Sequence, residues 1–404
     1  MIISAKTVVT GDGVTVLQDG GVKITDGKIA AVGKSGDLIK AFPNEEHTEY
    51  GDATILPGLI DMHVHLGYYQ GRPDEALYTD HLKAYQALYL AQKMLQNGVT
   101  TIRDAFSPNA VCRQLIFAAG KGYVRDIPRI FHCNRALTIS GGIDWNIDGT
   151  VQVDGVEAIR KAVREEFREG AHWIKAMTSW RTPGVAEYDQ EELNMIVRES
   201  HRLKHKAMAH ATMQPALQMC IDAGFDTIEH GTDLTVEQGK VMRDRGIGWV
   251  PTIYIHKAVY ERLKDRTGED GNGYDGLSDR EKQTYSIYGK VMETYRSNFL
   301  DVYNTGVLTM AGTDCPFDWL ESITVAWELE CMVGYGIDPV MAIAIATSNP
   351  AKMLDMQGEI GILAPGANAD ITIAEGNATA DITALQRIRE VYKDGDKVCR
   401  QDNC

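Results

Sequence analysis

Polar and apolar positions along this 404-residue chain follow two rhythms. At both ends, short apolar–polar alternations are separated by Gly- and Asp-rich turns. Val22-Lys23-Ile24 and Ile29-Ala30-Ala31-Val32 flank Asp26-Gly27, and Asp370-Ile371-Thr372-Ile373-Ala374 precedes Val391-Tyr392-Lys393-Asp394-Gly395. Period-two alternation punctuated by such dipeptides predicts hairpins. A few strands cannot bury a face alone, so residues 1–56 and 356–404 are expected to pair into one small β-sandwich. Between the ends the rhythm changes. Apolar, β-branched runs recur at 59–62, 99–102, 130–133, 173–175, 207–210, 227–230, 248–253 and 307–311, each followed by an amphipathic helical stretch such as 156–169 or 190–204. Strands alternating with helices imply a parallel sheet, and eight of them predict an α/β fold, a (β/α)8 TIM-like barrel over residues 57–355. The stretch 261–304 exceeds what one crossover needs; it reads as a polar, Gly-rich loop at 267–273 and then a long charged helix.

A barrel of this kind presents its reactive groups at the C-terminal ends of its strands. Side chains able to bind metals stand at those ends. His63 and His65 are two residues apart in a strand, so they point to one face and can reach one ion. Lys175 interrupts the apolar run Trp173-Ile174-Lys175-Ala176-Met177. Its amine could snorkel outwards. Alternatively, since a buried ammonium is costly, reaction with CO2 would convert it to a carbamate able to bridge two cations. His210 and His230 lie one βα unit apart and suit zinc or related ions, although each alone also reads as a hydrogen-bonded core histidine. Asp314 either caps the helix that follows or ligates a metal and takes the proton from water, whose pKa a cation lowers to about 7.

The ordered set His63-x-His65, Lys175, His210, His230 and Asp314 resembles the binuclear branch of the amidohydrolase superfamily. Flanking phrases carry the resemblance further: Leu56-Pro57-Gly58-Leu59-Ile60-Asp61-Met62-His63-Val64-His65, Ile228-Glu229-His230-Gly231, Ala311-Gly312-Thr313-Asp314 and Ala367-Asn368-Ala369-Asp370-Ile371. It covers essentially the whole chain and is strongest to prolidase-like and arginine-carboxypeptidase-like members. The resemblance implies two divalent ions, zinc first among Zn, Mn, Fe and Co. One would be held by His63, His65, Lys175 and Asp314, the other by Lys175, His210 and His230, with carbamylated Lys175 as the bridge. It further implies a hydrolase in which a hydroxide bridging the ions cleaves a C–N amide bond, with Asp314 and Lys175 in catalytic roles. N-acyl amino acids, dipeptides such as Xaa-Pro, and related amides fit this chemistry. Cyclic amides, carbamates, lactones and phosphotriesters are alternatives. A mononuclear deaminase or imidazolone hydrolase is disfavoured by Lys175, and a non-enzymatic scaffold by the intact ligand set. One departure bears on substrate. Relatives usually read Gly-Gly-His after strand three, whereas this chain reads Gly141-Gly142-Ile143. Asp144, Trp145, Arg181, Tyr254 and His256 are candidate substrate contacts; Arg103 reads as a structural partner of a carboxylate.

Bulk properties add exclusions. A net charge of −15 argues against a nucleic-acid surface, and no apolar run reaches the roughly 18 residues a membrane helix needs. The opening residues lack a signal-peptide pattern. Seven scattered cysteines suit unpaired thiols in a cytoplasmic protein. The expected partner is a small-molecule substrate, with no nucleic acid and no membrane; segment 261–304 offers a subunit contact, and a homo-oligomer is expected.

Overall fold

The structure, a computed structural model, describes residues 1–68, 78–179, 184–267, 272–317, 319–320 and 324–399. The chain forms two compact units, one comprising Met1–Arg135, Glu166–His172 and Met310–Cys404, the other Ala136–Glu165 and Trp173–Thr309.

In the first unit the two chain ends share one eight-stranded sheet. Its strands are β1 (Ile2–Val9), β2 (Val16–Thr25), β3 (Lys28–Lys34), β4 (His47–Glu49), β5 (Ala53–Pro57), β16 (Ile371–Glu375), β17 (Ile388–Lys393) and β18 (Asp396–Lys397). The ends join where β5 and β16 run antiparallel, from Pro57 opposite Ile371 to Ala53 opposite Glu375. Ile3, Val22, Ile24, Ile55, Ile371 and Ile373 fill the core of this sheet. The two Asp-Gly turns behave as their sequence requires. Asp26 and Gly27 have φ of 49° and 74°, and Asp394 and Gly395 have 51° and 84°. Two successive positive φ values give the turn whose twist matches that of the strands, and only Gly, Asn and Asp adopt it cheaply.

The same unit carries a parallel sheet of β6 (Leu59–Val64), β7 (Val99–Asp104) and β8 (Arg129–His132). Every residue of β6 and β7 is buried, which explains why these strands read as continuous apolar runs rather than alternations. The segment after Met310 runs along β6: Met62 N–H donates to the Ala311 carbonyl (2.9 Å), Asp314 N–H to that of His63 (2.8 Å), and His65 N–H to that of Cys315 (3.0 Å). The tail motif has a structural role. Asp370, buried, accepts from Arg129 at 2.9 Å and lies 3.3 Å from the Lys393 ammonium, joining β16 and β17 to the root of β8.

The second unit is built on a seven-stranded parallel sheet in the order β10-β9-β11-β12-β13-β14-β15. These are β9 (Ala136–Thr138), β10 (Thr150–Gln152), β11 (Trp173–Met177), β12 (Lys206–Ala211), β13 (Thr227–His230), β14 (Gly248–Val250) and β15 (Leu308–Thr309). Helices connect most of them, three opening with capping boxes at Asp189/Glu192, Thr235/Gln238 and Ser278/Glu281. The seventh barrel strand is shorter than its sequence suggests. Pro251 has no N–H for the ladder, Thr252 turns to a φ of 51°, and a helix starts at Ile253 and runs to Thr267. The long charged helix expected within 261–304 is Asp279–Tyr303, capped by Ser278 and Glu281; residues 268–271 of the preceding loop lie outside the described residues.

Glu199, on the helix Gln190–Arg202, joins it to a neighbouring helix through Arg164 (2.5 Å) and also accepts from Arg202 (2.9 and 2.6 Å). Arg202 first, then Arg164, hold its carboxyl down at about 2, below its ordinary 4.5. A depressed folded-state pKa contributes stability that is present above the unfolded value and lost as pH falls through the folded one. The melting temperature is therefore expected to fall as pH drops from about 4.5 towards 2, and Glu199→Gln is expected to flatten that slope in a pH series of thermal melts.

Cys112, Cys133, Cys220, Cys315 and Cys331 are buried free thiols, but Cys399 is disulfide-bonded, which corrects the expectation of unpaired thiols throughout. Among the described residues no helix is long and apolar enough to cross a membrane.

Candidate metal centre

In the first unit, ligand atoms of His63, His65 and Asp314 lie within 4.8 Å of one another. The strand parity of His63 and His65 brings both rings to one face, their centroids 5.3 Å apart. Asp314 Oδ1 stands 3.4 Å from His63 Nε2 and 3.1 Å from His65 Nε2. His65 Nδ1 is 3.0 Å from the Phe106 carbonyl. A carbonyl only accepts, so Nδ1 carries a proton and Nε2 is the ring nitrogen that faces Asp314. An imidazole nitrogen and a carboxylate oxygen at this distance come together only over a shared cation or proton. These donors, two imidazole nitrogens and one carboxylate oxygen, suit a divalent transition ion. The site fits the metal that its sequence implies.

Asp61 holds this trio in register. It lies two residues before His63 on the same strand face and is fully buried. Its Oδ1 accepts from the N–H groups of His63 (3.0 Å) and Thr313 (3.2 Å), and its Oδ2 from the Thr313 hydroxyl (2.7 Å). One carboxylate thus ties the segment bearing the histidines to that bearing Asp314. Burial pushes its pKa up to about 7, helped by the Asp314 charge and opposed by the His63 and Thr313 donors. Asp104, at the end of β7, plays a similar part for the loop after His65, accepting from Leu66 N–H at 2.8 Å and the Ser107 hydroxyl at 2.7 Å. Arg103 is buried, and its Nε donates to the Met62 carbonyl at 2.7 Å, so it braces β6 through the backbone.

In the second unit, His210 and His230 come together with ring centroids 4.5 Å apart. Regular pairing would not do this. His210 pairs with Glu229 and Ala211 with His230 in the β12–β13 register, which by pleat alternation sends the two rings to opposite faces. The φ of 67° at His230 breaks the alternation. The turn is stabilised from behind: the His230 carbonyl accepts from Trp249 Nε1 at 2.8 Å and from the Tyr295 hydroxyl at 3.3 Å. Gly231 continues it at φ 59°, where a Cβ would come within 2.7 Å of Leu234 Cδ1 and 2.8 Å of Trp249 Nε1. Gly231→Ala is therefore expected to cost about 1–3 kcal/mol in denaturant unfolding. Lys175 of β11 is fully buried and lies opposite Met208 of β12.

His256 is buried on the helix after β14, its ring 5.7 Å from that of His230. Tyr254 is half-buried at the start of that helix. Ile143 is buried, its N–H donating to Glu187 at 2.8 Å and its carbonyl accepting from the Thr138 hydroxyl at 2.8 Å. Asp144 follows at φ 54°, half-buried, and Trp145 is exposed. Arg181 lies outside the described residues. Asp61, Thr313 and Thr252 were not singled out from sequence. For Asp61 the signal was its parity with His63 and His65; for Thr252 there was none, because a positive φ at a threonine runs against its local preference.

The amidohydrolase family model matches residues 54–398. The chain belongs to the amidohydrolase family. This amidohydrolase is 26% identical to the ochratoxinase of Aspergillus niger over 98% of its own length and 85% of that protein's. It superposes on a Xaa-Pro dipeptidase with methionine bound in the active site with a TM-score of 0.85, at 26% identity and 98% coverage of both chains. A prolidase complexed with N-methylphosphonate-L-proline gives 0.82 at 27% identity, covering 99% of this chain and 100% of that one. The fold is the α/β TIM-like barrel with a β domain drawn from both chain ends, and the amidohydrolase is a hydrolase acting on carbon–nitrogen bonds of small molecules. Members of its superfamily generally use divalent metals.

Proposed function

We propose that the amidohydrolase is a binuclear enzyme that releases a C-terminal amino acid from N-acyl amino acids or dipeptides such as Xaa-Pro. The observation that carries this is the convergence of His63 and His65 Nε2 on one oxygen of Asp314. On this reading one ion is held by His63, His65, Asp314 and carbamylated Lys175, and a second by Lys175, His210 and His230; zinc suits these donors. Residues 57–355 form the catalytic barrel, residues 1–56 and 356–404 the small β domain, and the enzyme works as a homo-oligomer with neither nucleic acid nor membrane as partner.

Bound divalent ions supply two things, a more acidic water and polarisation of the substrate carbonyl. The chain supplies the rest. Asp314 takes the proton of the attacking water on its carboxylate and returns it to the leaving nitrogen, so that the amine departs neutral. Its backbone bond to His63 and the Asp61–Thr313 clamp keep that carboxylate in place. Tyr254, His256, Asp144, Trp145 and Arg181 are assigned to the substrate, with Tyr254 on its carboxylate. Relatives named for Xaa-Pro dipeptides and a proline phosphonate support an amino acid on the leaving side. The buried Ile143, where prolidase-like relatives usually read histidine, favours an acyl side unlike that of a standard dipeptide.

The test is a screen of N-acyl amino acids and dipeptides with zinc-loaded protein in bicarbonate. Release of a C-terminal amino acid supports the proposal; silence there, with turnover of cyclic amides or esters, overturns it.

A further inference from the structure

We propose that Thr252 is a positioning residue that fixes the tautomer and aim of His230 and orients His256 beside it. The inference rests on the reading of His230 as a metal ligand. Thr252 is fully buried and has a φ of 51°. A β-branched residue in the left-handed region is strained, and such strain persists only where the surroundings over-determine it. What holds it here is a pair of imidazoles. The Thr252 hydroxyl lies 2.7 Å from His230 Nδ1, and the Thr252 carbonyl lies 2.8 Å from His256 Nδ1. The two rings stand edge to face, 81° apart in plane, at 5.7 Å.

Each contact has a direction. A carbonyl only accepts, so His256 carries a proton on Nδ1 and leaves Nε2 as its outward-facing nitrogen. For His230 to ligate through Nε2, its Nδ1 must also carry the proton, and the Thr252 hydroxyl must accept it. The left-handed turn is what allows one residue to do both, since it points the hydroxyl and the carbonyl of Thr252 at two separate rings. The position is anchored on its other side. Tyr295 donates to the Pro251 carbonyl at 2.7 Å and also reaches the His230 carbonyl, which ties the backbone before Thr252 to the backbone of its histidine. A ligand's outer hydrogen bond sets ring orientation and basicity, and its loss typically lowers metal affinity 10–100-fold.

The experiment compares wild type, Thr252→Val and Thr252→Ser by zinc competition against a chromogenic chelator, and by nitrogen-15 histidine spectra of the metal-free proteins. Valine keeps the shape and removes the acceptor; serine restores it. The expected results are an Nδ1-protonated His230 in metal-free wild type, a loss of about 10–100-fold in the affinity of one ion in Thr252→Val, the other ion unchanged, and recovery to within about threefold in Thr252→Ser. An Nε2-protonated His230 in metal-free wild type overturns the proposal, whether or not the valine variant folds. So do two undiminished zinc affinities in a folded Thr252→Val. If wild type binds no divalent ion, the binuclear reading fails instead, and the His230 tautomer still decides the role of Thr252.

Discussion

Replacing Asp314 with Asn is expected to lower kcat/KM by about 10²–10⁴-fold, the range over which a positioned acid–base group acts. The fold should be kept. Asp314 has a φ of 53°, and Asn tolerates that conformation as well as Asp does. Its N–H bond to the His63 carbonyl at 2.8 Å belongs to the backbone and survives the change. The charge and the proton-accepting oxygen are lost, while the amide oxygen still faces the two histidines as a neutral donor to the ion, so the assay is run at saturating zinc. The loss should therefore appear mainly in kcat, with an unchanged far-ultraviolet spectrum and a melting temperature close to wild type.

Lys175→Met should do more to activity and less to stability. Lys175 is buried within the apolar strand Trp173–Met177, whose residues are all buried. A flexible thioether fills such a place without a charge to desolvate. The melting temperature should hold or rise, while turnover falls by roughly 10⁴-fold, the scale on which single members of a catalytic constellation act. Wild type stripped of metal should regain activity with zinc only when bicarbonate is supplied, and the variant should not respond to bicarbonate at all. A Lys175 that served only packing or ion pairing would show the opposite: preserved activity and altered stability.

Much of this site was legible in the chain because strand physics makes it so. Parity alone sends His63 and His65 to one face, and the structure keeps that geometry. The α/β alternation and the pairing of the two chain ends were legible for a similar reason, since Asp26-Gly27 and Asp394-Gly395 have no cheap alternative to the hairpin turn. The residues that escaped notice are those whose role depends on departing from local preference. His230 would face away from His210 by regular register, and a left-handed φ turns it round. Thr252 is a poor candidate for that same conformation, and only its two imidazole partners make sense of it. Arg103 reads from sequence as the partner of a carboxylate, and its Nε braces β6 through the Met62 carbonyl, a backbone acceptor that no sequence pattern marks. The seventh strand ends three residues before its apolar run does, because Pro251 cannot donate to the ladder and Thr252 turns away from it.

The central claim is that this amidohydrolase holds a pair of ions bridged by Lys175. The most direct test is the zinc content per chain after metal-free protein is reconstituted in bicarbonate and freed of excess metal. Two zinc ions per wild-type chain and no more than one in Lys175→Met are expected. One ion or none in wild type, or two in both proteins, would contradict it.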